Sequence, residues 1–176
     1  MSAAPGPAAV AAATARARRA AAAVTDPELP MLTLADLGVL REVSADAEGG
    51  VDVALTPTYS GCPAMAAMRA DVVRALKAAG FAEVRVRTAL HPPWTSDWIT
   101  ERGRRRLAEH GISPPGPAPR HGGPVPLSLV PRRRALRCPR CGAGGAELTS
   151  EFGATACRAL YRCAACGEPF EHVKEI

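Results

Sequence analysis

Aromatic side chains make up only 4% of this 176-residue chain. Much of the 47% apolar content is alanine, so the burial available per residue is modest and a metal staple would help such a chain fold. No apolar run approaches the length needed to span a bilayer. A secretion signal is missing too: Arg16, Arg18 and Arg19 interrupt the alanine-rich stretch Ala8–Ala23, whereas a signal peptide carries its positive charge ahead of the apolar core. The same stretch lacks the serines of a transit peptide. These absences point to a cytoplasmic protein that does not enter a membrane. Of the four histidines, His91 and His110 alone fall ahead of residue 114, and neither has an evident link to a cysteine. That argues against a thiol hydrolase, because cysteine catalysis needs a positioned base.

A net charge of +5 is compatible with nucleic acid or with an acidic protein partner and selects neither. The cysteines are more telling. Five of the six fall in the last 40 residues, four of them in Cys-x-x-Cys pairs, a pattern of metal binding rather than of disulfides.

Local patterning divides the chain into an alanine-rich extension with a first helix (1–23), an α/β domain (24–113), a Pro/Gly/Arg linker (114–136) and a small C-terminal domain (137–176). Alanine favours a helix over Ala8–Val24, stopped at Thr25-Asp26-Pro27. Strands are expected at Gly38–Val43 and Val51–Leu55, joined by a turn at Glu48-Gly49-Gly50. Met65, Met68, Val72, Val73 and Leu76 recur at helical spacing over Pro63–Ala79, closed by Gly80. A further strand follows at Glu83–Leu90, then a helix over Trp94–His110 capped by Thr95 or Ser96, with Trp94 and Trp98 on one face.

Cys138-Pro-Arg-Cys141-Gly142 and Cys163-Ala-Ala-Cys166-Gly167 are two copies of one device. Two thiolates three positions apart converge on one ion only if the backbone turns sharply, and the glycine that follows accepts the positive φ such a turn favours. Together they supply the four sulfurs of a tetrahedral Zn(II) site, closed to water and therefore structural; the same ligands would also suit a rubredoxin-like iron. Cys157 is left over, either a small buried hydrophobe or an alternative ligand.

Cys62 stands alone in Thr56-Pro57-Thr58-Tyr59-Ser60-Gly61-Cys62-Pro63. With Pro63 at the first helical position, Cys62 is expected to be the N-cap, where the helix dipole would favour a thiolate; a cysteine that merely caps is the equal alternative. Asp26, Glu28 and Asp36 would add oxygen ligands for a mixed sulfur and oxygen site, the alternative being ordinary solvated carboxylates of a loop.

Three strings carry a resemblance: Asp26-Pro27-Glu28-Leu29-Pro30 with Asp36-Leu37-Gly38, Leu55-Thr56-Pro57-Thr58-Tyr59-Ser60-Gly61-Cys62-Pro63, and His91-Pro92-Pro93-Trp94-Thr95-Ser96-Asp97-Trp98-Ile99. The first two resemble the SufT-like iron–sulfur assembly factors. The third, with Ser150-Glu151-Phe152-Gly153-Ala154-Thr155-Ala156-Cys157 and the paired cysteines, resembles the PaaD branch, which accompanies the phenylacetyl-CoA epoxygenase (1,2-phenylacetyl-CoA epoxidase). The resemblance implies an α+β fold, a small α/β sandwich followed by a β zinc ribbon. It implies an accessory factor of phenylacetate catabolism rather than an enzyme, one that assembles or delivers iron or iron–sulfur centres to the di-iron oxygenase or the iron–sulfur reductase of the epoxygenase. Cys62 would meet the iron or cluster transiently, with Asp26, Glu28, Asp36, Thr56 and Thr58 in support, and Cys157 gains weight from its motif. A non-catalytic structural subunit and a homodimer are compatible with the same strings. A nucleic-acid module, built on Arg132, Arg133, Arg134 and Arg137, is the lesser alternative, and no nucleic-acid partner is expected.

Overall fold

The structure is a computed structural model that describes residues 6–119 and 136–176. The run Arg132–Arg134 and most of the expected linker lie outside the described residues. The chain folds as α+β, in two compact units: one holds the residues up to Trp94 together with Trp98–Gly103, the other Thr95–Asp97 and Arg104–Ile176. Among the described residues no helix is long and apolar enough to cross a membrane.

The first unit contains α1 (Pro7–Ala22), β1 (Leu40–Ala45), β2 (Val51–Leu55), α2 (Met65–Ala78) and β3 (Val84–Thr88). β2 is central, antiparallel to β1 with Ala45 opposite Val51, and parallel to β3 with Val51 opposite Val84. The β1–β2 turn forms where the sequence places it, with Gly49 at φ +86° and the Asp46 carboxylate accepting the Gly50 N–H at 2.6 Å. α1 buries Ala17 and Ala21, one turn apart, and small side chains there let the helix approach closely. Thr14 Oγ1 accepts the Ala45 N–H at 3.0 Å, and the Arg16 guanidinium sits 4.5 Å over the Phe81 ring. α2 lays Met68, Val72 and Leu76 into a core shared with Leu32, Leu34, Val39, Val51, Val53 and Leu55.

Two expectations need correction here. Cys62 is not the N-cap of α2: the helix begins at Met65 with Ala64 at the cap, two residues further on. The residues between make tight turns instead, with the Cys62 N–H donating to Tyr59 O at 3.2 Å and the Met65 N–H donating to Cys62 O at 3.3 Å. Nor is Trp94–His110 one helix. A 3-10 turn at Ser96–Trp98 precedes α3 (Glu101–Glu109), and Trp94 lies outside both. Tertiary contacts win over helical propensity at this point. Trp94 is buried and its indole N–H donates to Leu37 O at 2.9 Å. Trp98 is held against Gly38, whose φ of +69° and missing Cβ admit it: a Cβ there would lie 2.5 Å from Trp98 Cβ. Thr100, not Thr95 or Ser96, caps α3, its Oγ1 accepting the Gly103 N–H at 3.0 Å.

Asp36 ties these loops together. Its carboxylate, 1% exposed, accepts from Thr33 N–H (3.2 Å) and Oγ1 (2.9 Å), from Thr100 Oγ1 (3.1 Å) and from Arg102 Nε (2.7 Å). Burial alone would raise its pKa, but these four donors outweigh burial and hold it at about 2.

The second unit contains the rest of α3, β4 (Ile112–Ser113), β5 (Ala146–Ser150), β6 (Arg158–Cys163) and β7 (Pro169–Val173), in a sheet of order β4-β7-β6-β5. β6 pairs antiparallel with β5 and β7, and β4 joins parallel to β7, so Ile112 and Ser113, which local patterning groups with the preceding segment, extend this sheet. Its core is Leu136, Cys138, Ala159, Tyr161, Cys163 and Phe170, with the Tyr161 and Phe170 rings stacked at 6.0 Å.

Because the Asp36 pKa is depressed from 3.8 to about 2, its contribution to stability is fully present above pH 4 or so and disappears as pH falls through about 2. The shift corresponds to about 2 kcal/mol. Acid unfolding of the first unit, followed by tryptophan fluorescence, is expected to lose much of its dependence on pH between about 4 and 2 in Asp36→Asn, with lower stability at neutral pH. An unchanged profile would show that Asp36 does not carry this linkage.

Candidate metal centre

The Cys-x-x-Cys turns are superposable in their hydrogen bonding. In the first, the Cys138 N–H donates to Ala143 O and the Gly142 N–H to Cys138 O; in the second, the Cys163 N–H donates to Glu168 O and the Gly167 N–H to Cys163 O, all four at 2.9 Å. Gly142 and Gly167 have φ of +74° and +75°, the left-handed geometry expected of the residue after each pair. β6 ends at Cys163, so the strand delivers one turn, while the chain entering the sheet from Leu136 delivers the other.

The result is four Sγ atoms all within 4.8 Å of one another. Cys138 Sγ lies 3.9 Å from Cys166 Sγ, and Cys141 Sγ lies 3.7 Å from Cys163 Sγ. A regular tetrahedron of sulfurs at zinc's preferred bond length of about 2.3 Å has an edge of about 3.8 Å, which these two edges match while the others stay within 4.8 Å, so the quartet suits Zn(II). Cys138 and Cys163 are buried in the core and Cys141 and Cys166 face outward. Arg140 and Glu168, one from each turn, form an ion pair across the site.

The electrostatics need a cation. The Cys163 thiol is lowered to about 7, first by the Cys166 backbone N–H, despite desolvation, with the Ala165 N–H and neighbouring thiols assisting. The Cys166 thiol feels the lowering effect of the Glu168 N–H, yet burial and the thiols of Cys141, Cys163 and Cys138 push it up to about 12. One more negative charge in a cluster of sulfurs is unfavourable until a dication neutralises it, and coordination then deprotonates all the ligands. With every position of the metal taken by sulfur, the centre serves architecture and offers no site for substrate.

The other candidate residues are distributed differently. Among the described residues, no group of three or more metal-ligating side chains other than the quartet comes together, so Cys62 with Asp26, Glu28 and Asp36 does not assemble the mixed sulfur and oxygen site that the sequence suggests. The physical reason lies in the carboxylates. Asp36 is committed to Thr33, Thr100 and Arg102. Asp26 is buried and its Oδ1 accepts the backbone N–H groups of Glu28 (2.8 Å) and Leu29 (2.9 Å), shaping the loop. Glu28 is exposed. Thr56 is buried and its N–H donates to Val39 O at 2.9 Å, while Thr58 is half-buried in the loop between β2 and α2. Cys62 itself is half-exposed in that loop. Cys157 lies outside the quartet, half-buried, with its Sγ 3.1 Å from Thr155 Oγ1.

One arrangement was not visible in the sequence. His172 is fully buried, with Nδ1 3.1 Å from Ser113 Oγ and Nε2 3.1 Å from Glu175 Oε1. The order of groups is that of a hydrolase triad, but Ser113 is buried as well, and the trio joins β4 to β7 rather than facing a cleft. Residues 59 positions apart and a two-residue strand leave no local pattern that would have announced it.

Residues 123–174 match the family model described as the PaaD zinc beta ribbon domain, and residues 5–88 match that described as iron–sulfur cluster assembly protein. A protein of Escherichia coli (strain K12), named a putative 1,2-phenylacetyl-CoA epoxidase subunit, is 46% identical over 153 residues, covering 87% of each chain. An Fe-S protein maturation auxiliary factor of Porphyromonas gingivalis is 32% identical over 85 residues, 48% of this chain and 80% of that protein. Among solved structures, a domain of unknown function, DUF59, from Bacillus anthracis superposes with a TM-score of 0.54 at 25% identity, covering 58% of this chain and 97% of that one.

Structural zinc sites contribute on the order of 10 kcal/mol of folding energy. Chelation of the full-length protein is therefore expected to abolish the ordered NMR signals of Tyr161 and Phe170, with zinc restoring them. Cys138→Ser should lose zinc, measured by elemental analysis, whereas Cys157→Ser should keep it. Zinc loss in Cys157→Ser would bring that thiol into the site.

Proposed function

The chain belongs to the PaaD family of phenylacetyl-CoA epoxidase subunits, and from that membership we propose that it is a cytoplasmic accessory factor that assembles or delivers iron or iron–sulfur centres to the epoxidase's di-iron oxygenase or iron–sulfur reductase. The observation that carries this reading is the separation of Cys62 from the metal-site sulfurs. Four sulfurs converge on one structural site, and of the two cysteines outside it Cys62, half-buried, lies inside the segment that matches the iron–sulfur assembly family. A closed four-sulfur tetrahedron leaves no coordination position for an incoming ligand. A single thiol fills one coordination position of an iron, so the remaining ligands come from the client, a small thiol or a second copy of the chain. That is a handover arrangement rather than a storage site. The role is non-catalytic: oxidation belongs to the clients.

A second reading, a structural component bound stably to the oxygenase, draws on the word subunit in the relative's name. The two part on Cys62.

Cys62→Ser is expected to leave zinc content and thermal stability unchanged, to lose iron uptake on anaerobic reconstitution, and to reduce epoxidase maturation in cells to the level of a deletion. Full maturation in this variant would exclude the transfer role. Co-purification with the oxygenase in fixed stoichiometry, unaffected by the substitution, would favour the structural component.

A further inference from the structure

β3 is the edge of the first unit's sheet. Its pairing with β2 is parallel, the Val51 N–H donating to Glu83 O at 2.9 Å and the Ala89 N–H to Leu55 O at 2.8 Å. In a parallel ladder alternate residues turn both backbone groups to the same neighbour. Glu83, Arg85, Arg87 and Ala89 thus serve β2, while Val84, Val86 and Thr88 present their N–H and C=O groups to the open side.

Beside that edge α2 and β3 form an open groove of about 570 Å³. Val73, Val84 and Val86 give it an apolar floor, and Arg69, Arg74 and Lys77 rim it. Arg74 is paired with Asp71, but Arg69 and Lys77 have no acidic partner among the described residues. The arginines on the opposite face of β3 are neutralised: Arg85 by Asp46 and Asp52, Arg87 by Glu42. Uncompensated positive charge is therefore concentrated on the groove side.

We propose that this groove docks an acidic, extended segment of a protein partner, added to β3 as a fourth strand. The spacing supports it. Arg69, Val73 and Lys77 follow one another at i, i+4 and i+8 along α2, so the two cations are about 12 Å apart along the helix. In an extended chain, side chains four residues apart on one face are about 13 Å apart. Acidic residues at such positions meet Arg69 and Lys77, and the residue midway between them lies over Val73. Strand addition supplies affinity through backbone hydrogen bonds, and the side chains supply selectivity. A second copy of this chain is disfavoured as occupant, because its own β3 would set arginines and the α2 cations against their equivalents. The inference stands on the groove alone and does not depend on the role of Cys62.

The test uses the full-length, zinc-loaded chain and a fluorescein-labelled heptapeptide, Thr-Glu-Thr-Val-Thr-Glu-Thr, read by fluorescence anisotropy. Saturable binding that weakens with added salt is expected, with perturbed amide NMR shifts at Val84 and Val86. Arg69→Glu combined with Lys77→Glu should weaken it about tenfold or more. Val86→Pro should do the same while leaving the thermal midpoint nearly unchanged, because the lost N–H faces away from β2 and proline is tolerated on an edge. Cys62→Ser should bind normally. Absent binding, binding that survives the charge reversal, or binding that survives Val86→Pro in a folded protein would each overturn the proposal.

Discussion

The C-terminal unit depends on four thiolates meeting at one point. Its core contains Leu136, Ala159, Tyr161 and Phe170 beside two of the metal ligands themselves, Cys138 and Cys163. A cluster that small buries too little apolar surface to order a segment of this size alone. The ligands are thus part of the core, and binding the ion and packing Tyr161 on Phe170 are one event. Each side supports the other: the turns position the sulfurs, and the charge of the cation makes it favourable for Cys166 to give up a proton that its neighbours otherwise retain.

The first unit meets the same shortage of large side chains differently. It fills its interior with leucine, valine and alanine, and then fastens its loops with a buried carboxylate. Asp36 draws Thr33, Thr100 and Arg102 to one point, and its position fixes where α3 can begin. An aspartate whose oxygens are filled by hydroxyl, amide and guanidinium donors has little left to offer a metal, and Asp26, accepting from Glu28 and Leu29, is committed to its loop in a similar way. Of the acidic motif that reads as a ligand set in one dimension, Asp26 and Asp36 are engaged by loop donors in three.

What was legible in the sequence was whatever a local pattern determines. The strand Val51–Leu55 has its observed limits, because alternation and the Gly49 turn fix it from both sides. The α2 face of Met68, Val72 and Leu76 followed from helical spacing, and the paired cysteine turns from the need for two sulfurs and a following glycine. The misreadings come from contact between distant residues and, before α2, from turns that local composition does not announce. The segment from Trp94 onward has helical composition, yet Leu37 and Gly38 pull Trp94 and Trp98 into the first unit and break the helix into a 3-10 turn and a late start. Pro63 suggests a helix beginning at once, but hydrogen bonds from Cys62 and Met65 to the residues before them spend that stretch on turns. The Ser113, His172 and Glu175 chain likewise exists only once β4 lies against β7.

This displacement of Cys62 from the helix cap changes the basis on which it would react. At the cap, its thiolate would be stabilised by amides at the helix end. Two residues earlier, it sits in a loop whose turns use its backbone N–H and C=O, half-buried and away from the amides at the helix end. For a nucleophile that would be a loss, since a catalytic thiol needs its charge fixed in place. The transfer role proposed above does not call on the helix dipole: a ligand stabilised strongly in either state would stall the exchange. The quartet answers the opposite requirement, where every sulfur is held by a turn and none is replaced. The quartet is held by paired turns and Cys62 by a single loop, and the proposed division between keeping a metal and passing it on rests on that contrast more than on the count of thiols.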